Sequence, residues 1–245
     1  MISVEYPAGK AGQIQVVDGL LDGLAERFVA RMQYHWNHSF PGNTLGGVDS
    51  ATKLTEDLHY NADGHISWEE QDQKLDDEIC MALTSAISIY RQKYRHLDRW
   101  TTITDSGFQV QRYLRSRGYY RPHVDSFPHA FSAISDRVLG CIVYLNDVQY
   151  GGETHFPLHH VKVAPRAGRI ALFPAVFTHP HESCVPITED KWIISTFILN
   201  PEAGSPSPSE DHHHDHDHDH DEPELIMGSM PKRWVFEDFV GETEQ

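Results

Sequence analysis

Two stretches of this chain carry side chains spaced for chemistry on a metal. In Arg121-Pro122-His123-Val124-Asp125 an imidazole and a carboxylate stand two residues apart. In an extended segment such side chains share a face, so both can reach one ion. A third ligand has to come from elsewhere, and His181 is the candidate. Two imidazoles and one carboxylate leave three positions open on a six-coordinate ion, the donor set that suits Fe(II) chemistry with oxygen. Ten residues past His181 stands Lys191, at the head of the apolar run that ends at Leu199. A cation on a strand near an open metal position would suit a co-substrate with two carboxylates.

Elements that could hold these residues follow from periodicity. A helix is expected from an N-cap at Asp18 to about Trp36, with Leu21, Leu24, Phe28 and Met32 on one face, and an edge strand just before it at 13–17. Residues 40–47 are rich in Gly, Pro and Asn and predict a loop. Ser67 and Glu70 fit a capping box for a second helix to about Tyr94, with Leu75, Ile79, Leu83, Ile87 and Tyr90 along its stripe. Asn61, Asp63, Gly64, Ile66 and Glu70 also fit positions of a calcium loop, but His59 stands where Asp is normal, and a turn before a capped helix is preferred. From Phe108 the pattern changes. Short β-rich runs at 108–114, 119–124, 138–145, 154–156, 160–164, 169–173, 178–184 and 192–199 are separated by Gly and Pro. Eight such runs predict a mainly β, α+β chain: a jelly roll, or double-stranded β-helix, with packing helices before it.

Charge narrows the partners. The formal net charge is −16, and residues 210–222 hold seven acids with no Lys or Arg, which leaves −9 on the rest. Such a surface disfavours nucleic acid and anionic membranes, since both recruit cations. No run is long and apolar enough to span a bilayer. Cys80, Cys141 and Cys184 are widely separated and odd in number, which argues for reduced thiols and a cytoplasmic protein.

Residues 108–199 resemble the prolyl 4-hydroxylase-like branch of the Fe(II)/2-oxoglutarate dioxygenases. The resemblance rests on Tyr113 ten residues before His123, on Tyr144-Leu145-Asn146, and on Gly151-Gly152-Glu153-Thr154 with Phe156-Pro157. It continues through Pro165-Arg166-Ala167-Gly168 and Leu172-Phe173-Pro174 to a distal His and a basic residue. It implies His123, Asp125 and His181 as iron ligands and Lys191 with Tyr113 as partners of the far carboxylate of 2-oxoglutarate. Tyr144 and Thr154 would line the same pocket. His181 is preferred to His179 because the distal ligand lies nine or ten residues before the basic residue in that family, and Lys191 is ten from His181 but twelve from His179. Pro186 falls five residues after His181 rather than the family's four. The implied cofactor and co-substrates are Fe(II), 2-oxoglutarate and O2, with ascorbate as an auxiliary reductant. The implied reaction hydroxylates a peptidyl proline or similar side chain, releasing succinate and CO2, and a free amino acid or other small molecule is the alternative substrate.

The expected organisation is a catalytic domain over 1–201, a disordered His/Asp-rich linker over 202–229 and a more apolar segment at 230–245 that could dock back. Residues 211–221 comprise six histidines and five aspartates. Such a tract either only solvates or binds metal loosely, so a metal-buffering protein acting through this tail is the rival reading of another class.

Overall fold

The structure, a computed structural model, describes residues 1–200 apart from residues 11, 45, 61–65, 67, 100–102, 128–133 and 135. In chain order the elements are β1 (Ser3–Glu5), β2 (Gln15–Asp18), α1 (Leu24–His35), β3 (Phe40–Pro41), β4 (Lys53–Leu54), β5 (Glu56–Tyr60), α2 (Glu70–Lys93), β6 (Thr104–Asp105), β7 (Phe108–Tyr113), β8 (Tyr119–His123), β9 (Arg137–Tyr144), β10 (Thr154–Phe156), β11 (Val161–Val163), β12 (Ile170–Pro174), β13 (His181–Ser183) and β14 (Lys191–Leu199). Two antiparallel sheets face each other. The larger has the order β1-β2-β12-β9-β14-β7-β5-β3, with β6 beside β14, and the smaller has the order β11-β10-β13-β8-β4.

Strand parity sorts the larger sheet's side chains onto two faces. Leu139, Cys141, Val143, Ile170, Leu172, Val110 and Ile194 join α1 and α2 in one apolar core. The alternate residues Ile142, Tyr144, Ala171, Phe173, Tyr113 and Ile193 turn into the space between the sheets, against Phe156, Val161 and Val163 of the smaller sheet. This explains why β9, β12 and β14 read as continuous apolar runs: both faces of each strand are covered. The helices thus cover the outer face of one sheet, as the sequence predicts.

The N-terminal boundaries differ from those expected. Asp18 caps no helix; it ends β2, and its carboxylate takes both guanidinium arms of Arg169 at 2.8 Å. The helix waits for Gly23, whose φ of 73° reverses the chain, and starts at Leu24. Strand β2 is no edge, because it lies between β1 and β12. Within 40–47, Phe40 and Pro41 pair with β5 rather than looping freely. The second helix is capped one turn-step differently: Glu69 and Asp72 form the reciprocal box, and Ser67 lies outside the described residues. His59 belongs to β5, so among the described residues a strand and not a helix comes before α2, while Asn61, Asp63 and Gly64 lie outside the described residues. Asp72 also binds Arg31 of α1 through two 2.7 Å contacts, which fixes the helix pair.

Candidate metal centre and co-substrate pocket

The centre is built where the smaller sheet bends. His123 ends β8 and pairs directly with His181 of β13. Between these partners and the next pair, Ser183 with Tyr120, the register slips by one residue. The slip is a bulge at Arg121-Pro122, and it turns Tyr120 and His123, three residues apart, to the same interior side. The Tyr120 ring then stacks on the His123 imidazole at 3.6 Å between centroids and 18°.

The ligand atoms of His123, Asp125 and His181 all lie within 4.8 Å of one another. His123 Nε2 is 3.5 Å and His181 Nε2 3.7 Å from the two Asp125 oxygens. Each imidazole is oriented in the same way: Nδ1 lies 2.8 Å from the Arg121 carbonyl in one case and 3.2 Å from the His179 carbonyl in the other. A carbonyl can only accept, so Nδ1 carries the proton and Nε2 is left with its lone pair toward the centre. Burial drives the His181 pKa down to about 4, which keeps that ring neutral at neutral pH. Burial would raise the Asp125 carboxyl, but His181, His123 and Arg137 outweigh it and hold the group below its ordinary value.

Asp125 fits only because Gly140 of β9 has no side chain. A Cβ there would stand 2.7 Å from Asp125 Oδ2 and 2.5 Å from the Phe173 ring. On the other side the Asp125 amide donates to the Ala175 carbonyl at 3.0 Å, and its own carbonyl accepts from Arg137 at 3.1 Å. Two imidazoles, each oriented by a backbone carbonyl, and a carboxylate on a backbone segment held by Ala175 and Arg137 suit a first-row divalent ion with open positions.

Lys191 lies deep between the sheets and is fully buried, on a central strand between β7 and β9. Its ammonium donates to the Gly152 carbonyl at 3.0 Å and to Ser183 Oγ. No carboxylate pairs with it among the described residues, and burial pushes its pKa down to about 7. Tyr113 is its register partner and places its ring 4.1 Å from the ammonium. The Tyr113 hydroxyl donates to Gln111 at 2.8 Å, and burial raises its pKa. Tyr144 and Thr154 meet through a 2.6 Å hydroxyl pair, and Thr154 is the register partner of Ser183. These residues form one polar row at the far side of the same chamber.

His179 is buried but stands apart from the three ligand atoms. Its ring stacks on His159 at 4.3 Å, and its Nδ1 meets Thr178 Oγ1. Its contribution to the centre is the carbonyl that orients His181. His155 pairs with Glu182 instead of the centre, and His129 lies outside the described residues. Three contributors were not visible in the sequence: Gly140, Tyr120 and Ser183. Only Ser183 left a signal, since it stands two residues from His181 and shares its face.

The two sheets form a double-stranded β-helix that holds the His123, Asp125 and His181 set and, between the same sheets, a buried Lys191 with no paired carboxylate among the described residues. Residues 108–199 match the 2OG-Fe(II) oxygenase superfamily. That family works with Fe(II), 2-oxoglutarate and O2. Among curated proteins the chain is 33% identical to probable prolyl 4-hydroxylase 9 of Arabidopsis thaliana over 42% of this chain and 45% of that protein. It is 30% identical to prolyl 4-hydroxylase 13 of the same plant over 37% and 42%. The chain therefore matches less than half the length of these relatives. Among solved structures, a prolyl hydroxylase from Trichoplax adhaerens, in complex with a hypoxia inducible factor oxygen degradation domain peptide fragment, superposes with a TM-score of 0.63. Its identity is 17%, over 82% of this chain and 92% of that one. A viral collagen prolyl hydroxylase from Paramecium Bursaria Chlorella virus-1, in its 2OG complex, gives 0.55 at 17% identity over 77% and 96%. These likenesses carry the fold. No helix among the described residues is long and apolar enough to cross a membrane.

Proposed function

We propose that this protein is an Fe(II)- and 2-oxoglutarate-dependent hydroxylase of a peptidyl proline or a similar side chain. The observation that carries the reading is the relation of His181 to Ser183 on β13. Both face the chamber, one same-face step apart, which is about 6.5 Å along a strand. At one end of that step is the candidate metal ligand, and at the other the hydroxyl that receives the buried Lys191 ammonium. A five-carbon diacid has the length to put its keto-acid end at the metal and its far carboxylate on Lys191.

In this reading His123, Asp125 and His181 hold Fe(II), which supplies the oxidising chemistry when bound. Lys191 anchors 2-oxoglutarate through a charge-assisted hydrogen bond, and Tyr113 walls the carboxylate pocket. Tyr144 and Thr154 close the pocket's floor as a mutually satisfied pair. The buried Lys191, with no acid partner among the described residues, supports this, because an unpaired interior cation is costly unless an anionic ligand is its purpose. Ile142, Phe156, Phe173 and Ile193 belong to the apolar cluster between the sheets, which would limit water at the reacting centre. The products would be succinate, CO2 and the hydroxylated side chain.

The peptidyl substrate follows from the plant and Trichoplax relatives and is the finer part of the proposal. Three cysteines, odd in number and widely spaced along the chain, and an iron that must stay reduced fit a cytoplasmic setting. The domain limits we assign are 1–201 for the catalytic unit, 202–229 for the His/Asp-rich linker and 230–245 for a terminal segment. The test is succinate formation from 2-oxoglutarate by the metal-free protein resupplied with Fe(II), in the presence of a proline-containing peptide library. A peptide that gains one oxygen on proline supports the assignment. Oxygen gain confined to free amino acids would move the substrate to the small-molecule class, and no succinate under any condition would remove the enzyme reading.

A further inference from the structure

The Lys191 ammonium fixes the direction of the protons in the row beside it. An ammonium has three N–H donors and no acceptor. One N–H goes to the Gly152 carbonyl at 3.0 Å and one to Ser183 Oγ, and the third has no acceptor among the described residues. Ser183 therefore accepts from the lysine and keeps its own proton for another partner. That partner is the Tyr113 hydroxyl. Burial raises the Tyr113 pKa most strongly, and a hydrogen bond from Ser183 works against it, as a bond donated to the phenol oxygen does. The Tyr113 proton is committed elsewhere. It goes to Gln111 Oε1 at 2.8 Å, and Gln111 Nε2 donates onward to Gln109 Oε1 at 2.8 Å. The row runs one way, from Lys191 through Ser183, Tyr113 and Gln111 to Gln109.

That direction decides what an arriving carboxylate meets. Gln111 and Tyr113 are both buried. To donate to an anion, Tyr113 would have to withdraw its proton from the Gln111 oxygen and leave that oxygen unpaired in the interior, which is costly. Ser183 has only to rotate its hydroxyl about the Cβ–Oγ bond, because the lysine occupies a lone pair and not the proton. Tyr113 then keeps its bond to Gln111 throughout. Ser183 is itself buried and lies on the chamber face of β13, one same-face step from His181.

We propose that Ser183, and not Tyr113, gives the hydroxyl hydrogen bond to the far carboxylate of 2-oxoglutarate, beside the Lys191 ammonium. The inference rests on the co-substrate reading above and deepens it. Two donors then meet the two carboxylate oxygens: the third lysine N–H and the Ser183 O–H. Tyr113 acts as a wall whose polar end is held by Gln111. The residue at position 183 thereby favours a 2-oxo acid with a second carboxylate over one without it, since only the former has an oxygen to receive the serine proton.

The test is anaerobic equilibrium dialysis of 2-oxoglutarate against the full chain loaded with Fe(II), for the unmodified protein, Ser183→Ala and Tyr113→Phe. Working at about pH 6 keeps Lys191, whose pKa is lowered to about 7 by burial, in its charged form. A parallel series uses 2-oxobutyrate, which has the keto-acid end but no far carboxylate. Ser183→Ala should weaken 2-oxoglutarate binding roughly tenfold, the loss of one hydrogen bond to a charged group, and should lose more than Tyr113→Phe does. The affinity for 2-oxobutyrate should be the same in Ser183→Ala as in the unmodified protein. A larger loss in Tyr113→Phe than in Ser183→Ala would overturn the inference. Equal losses for the two 2-oxo acids in Ser183→Ala would overturn it as well, because the pocket would then have changed shape instead of losing one bond. An unmodified protein that holds Fe(II) but binds no 2-oxoglutarate would remove the co-substrate reading itself, a failure distinct from unchanged binding in Ser183→Ala alone.

Discussion

Lys191 and Tyr113 stand opposite each other on β14 and β7, with the ammonium 4.1 Å from the centre of the tyrosine ring and no carboxylate paired with it among the described residues. The ammonium rests on neutral groups alone: a π face, the Gly152 carbonyl and Ser183 Oγ. That arrangement tolerates a charge without neutralising it, which is the condition for an anion to bind there.

Removing the charge should therefore act on co-substrate and spare metal. Lys191→Ala should weaken 2-oxoglutarate binding roughly ten- to a hundredfold, the equivalent of about 1.5–3 kcal/mol for a charge-assisted hydrogen bond. Fe(II) stoichiometry should stay unchanged. Anaerobic titration with 2-oxoglutarate measures both, and unchanged affinity would place the anchor elsewhere.

The same lysine sets a pH dependence. Its pKa in the folded protein is lowered to about 7 by burial, and a bound dianion favours the protonated form and raises it. Below about pH 7 the ammonium is already present, so affinity is flat. Above it, each binding event must take up a proton, and affinity should fall by up to about tenfold per pH unit until the pKa of the complex is reached. Lys191→Arg keeps its charge across this range, so its weaker binding should be independent of pH. Titrations between pH 6 and 9, on the order of three units around the pKa, check the slope.

Much of this chamber was legible from β7 onward. The runs of β9, β12 and β14 are apolar on both faces, so their limits fall within a residue or two of those observed, and His-X-Asp with a distal His pointed to three residues whose ligand atoms lie within 4.8 Å of one another. The earlier part was harder. Glu56–Tyr60 reads as polar because Glu56, Asp57 and His59 are, although Asp57 is fully buried against Lys53 at 2.7 Å. A buried ion pair leaves no hydrophobic signal, so β4 and β5 passed unnoticed. Asp18 looked like a cap because capping and ion pairing use the same residue type, and Arg169 is 151 positions away. The bulge at Arg121-Pro122 was invisible for another reason: a register slip is a property of two strands, and neither sequence alone contains it.

Gly140 offers a steric test of the centre. In Gly140→Ala the new Cβ would meet Asp125 Oδ2 at 2.7 Å and the Phe173 ring at 2.5 Å, with both neighbours packed in place. Overpacking of this kind costs about 1–3 kcal/mol. The variant should fold with a lowered Tm and bind Fe(II) weakly, because Asp125 is displaced. Thermal unfolding and equilibrium dialysis together check it, and iron affinity equal to that of the unmodified protein would mean the carboxylate is not held where the structure has it.

Away from the centre, Arg31 should matter for stability. Asp72 is fully buried and takes both Arg31 contacts at 2.7 Å, while His35 lies 3.4 Å away. Burial would raise the Asp72 carboxyl, and Arg31 with the Glu69 amide holds it below its usual value. Arg31→Ala leaves that charge uncompensated and should cost about 3 kcal/mol in urea unfolding. Arg31→Ala with Asp72→Asn should recover part of the loss, since the uncompensated charge is then gone.

The proposal stands or falls on His123, Asp125 and His181 as the residues that would hold Fe(II), which would supply dioxygenase chemistry between co-substrate and substrate. Turnover under isotopically labelled O2 tests it most directly, with a hydroxylated peptide as product. The account predicts one labelled atom in succinate and one in the new hydroxyl, in equal amounts, and neither in Asp125→Ala. Succinate and product without label, or labelled product undiminished in Asp125→Ala, would contradict it.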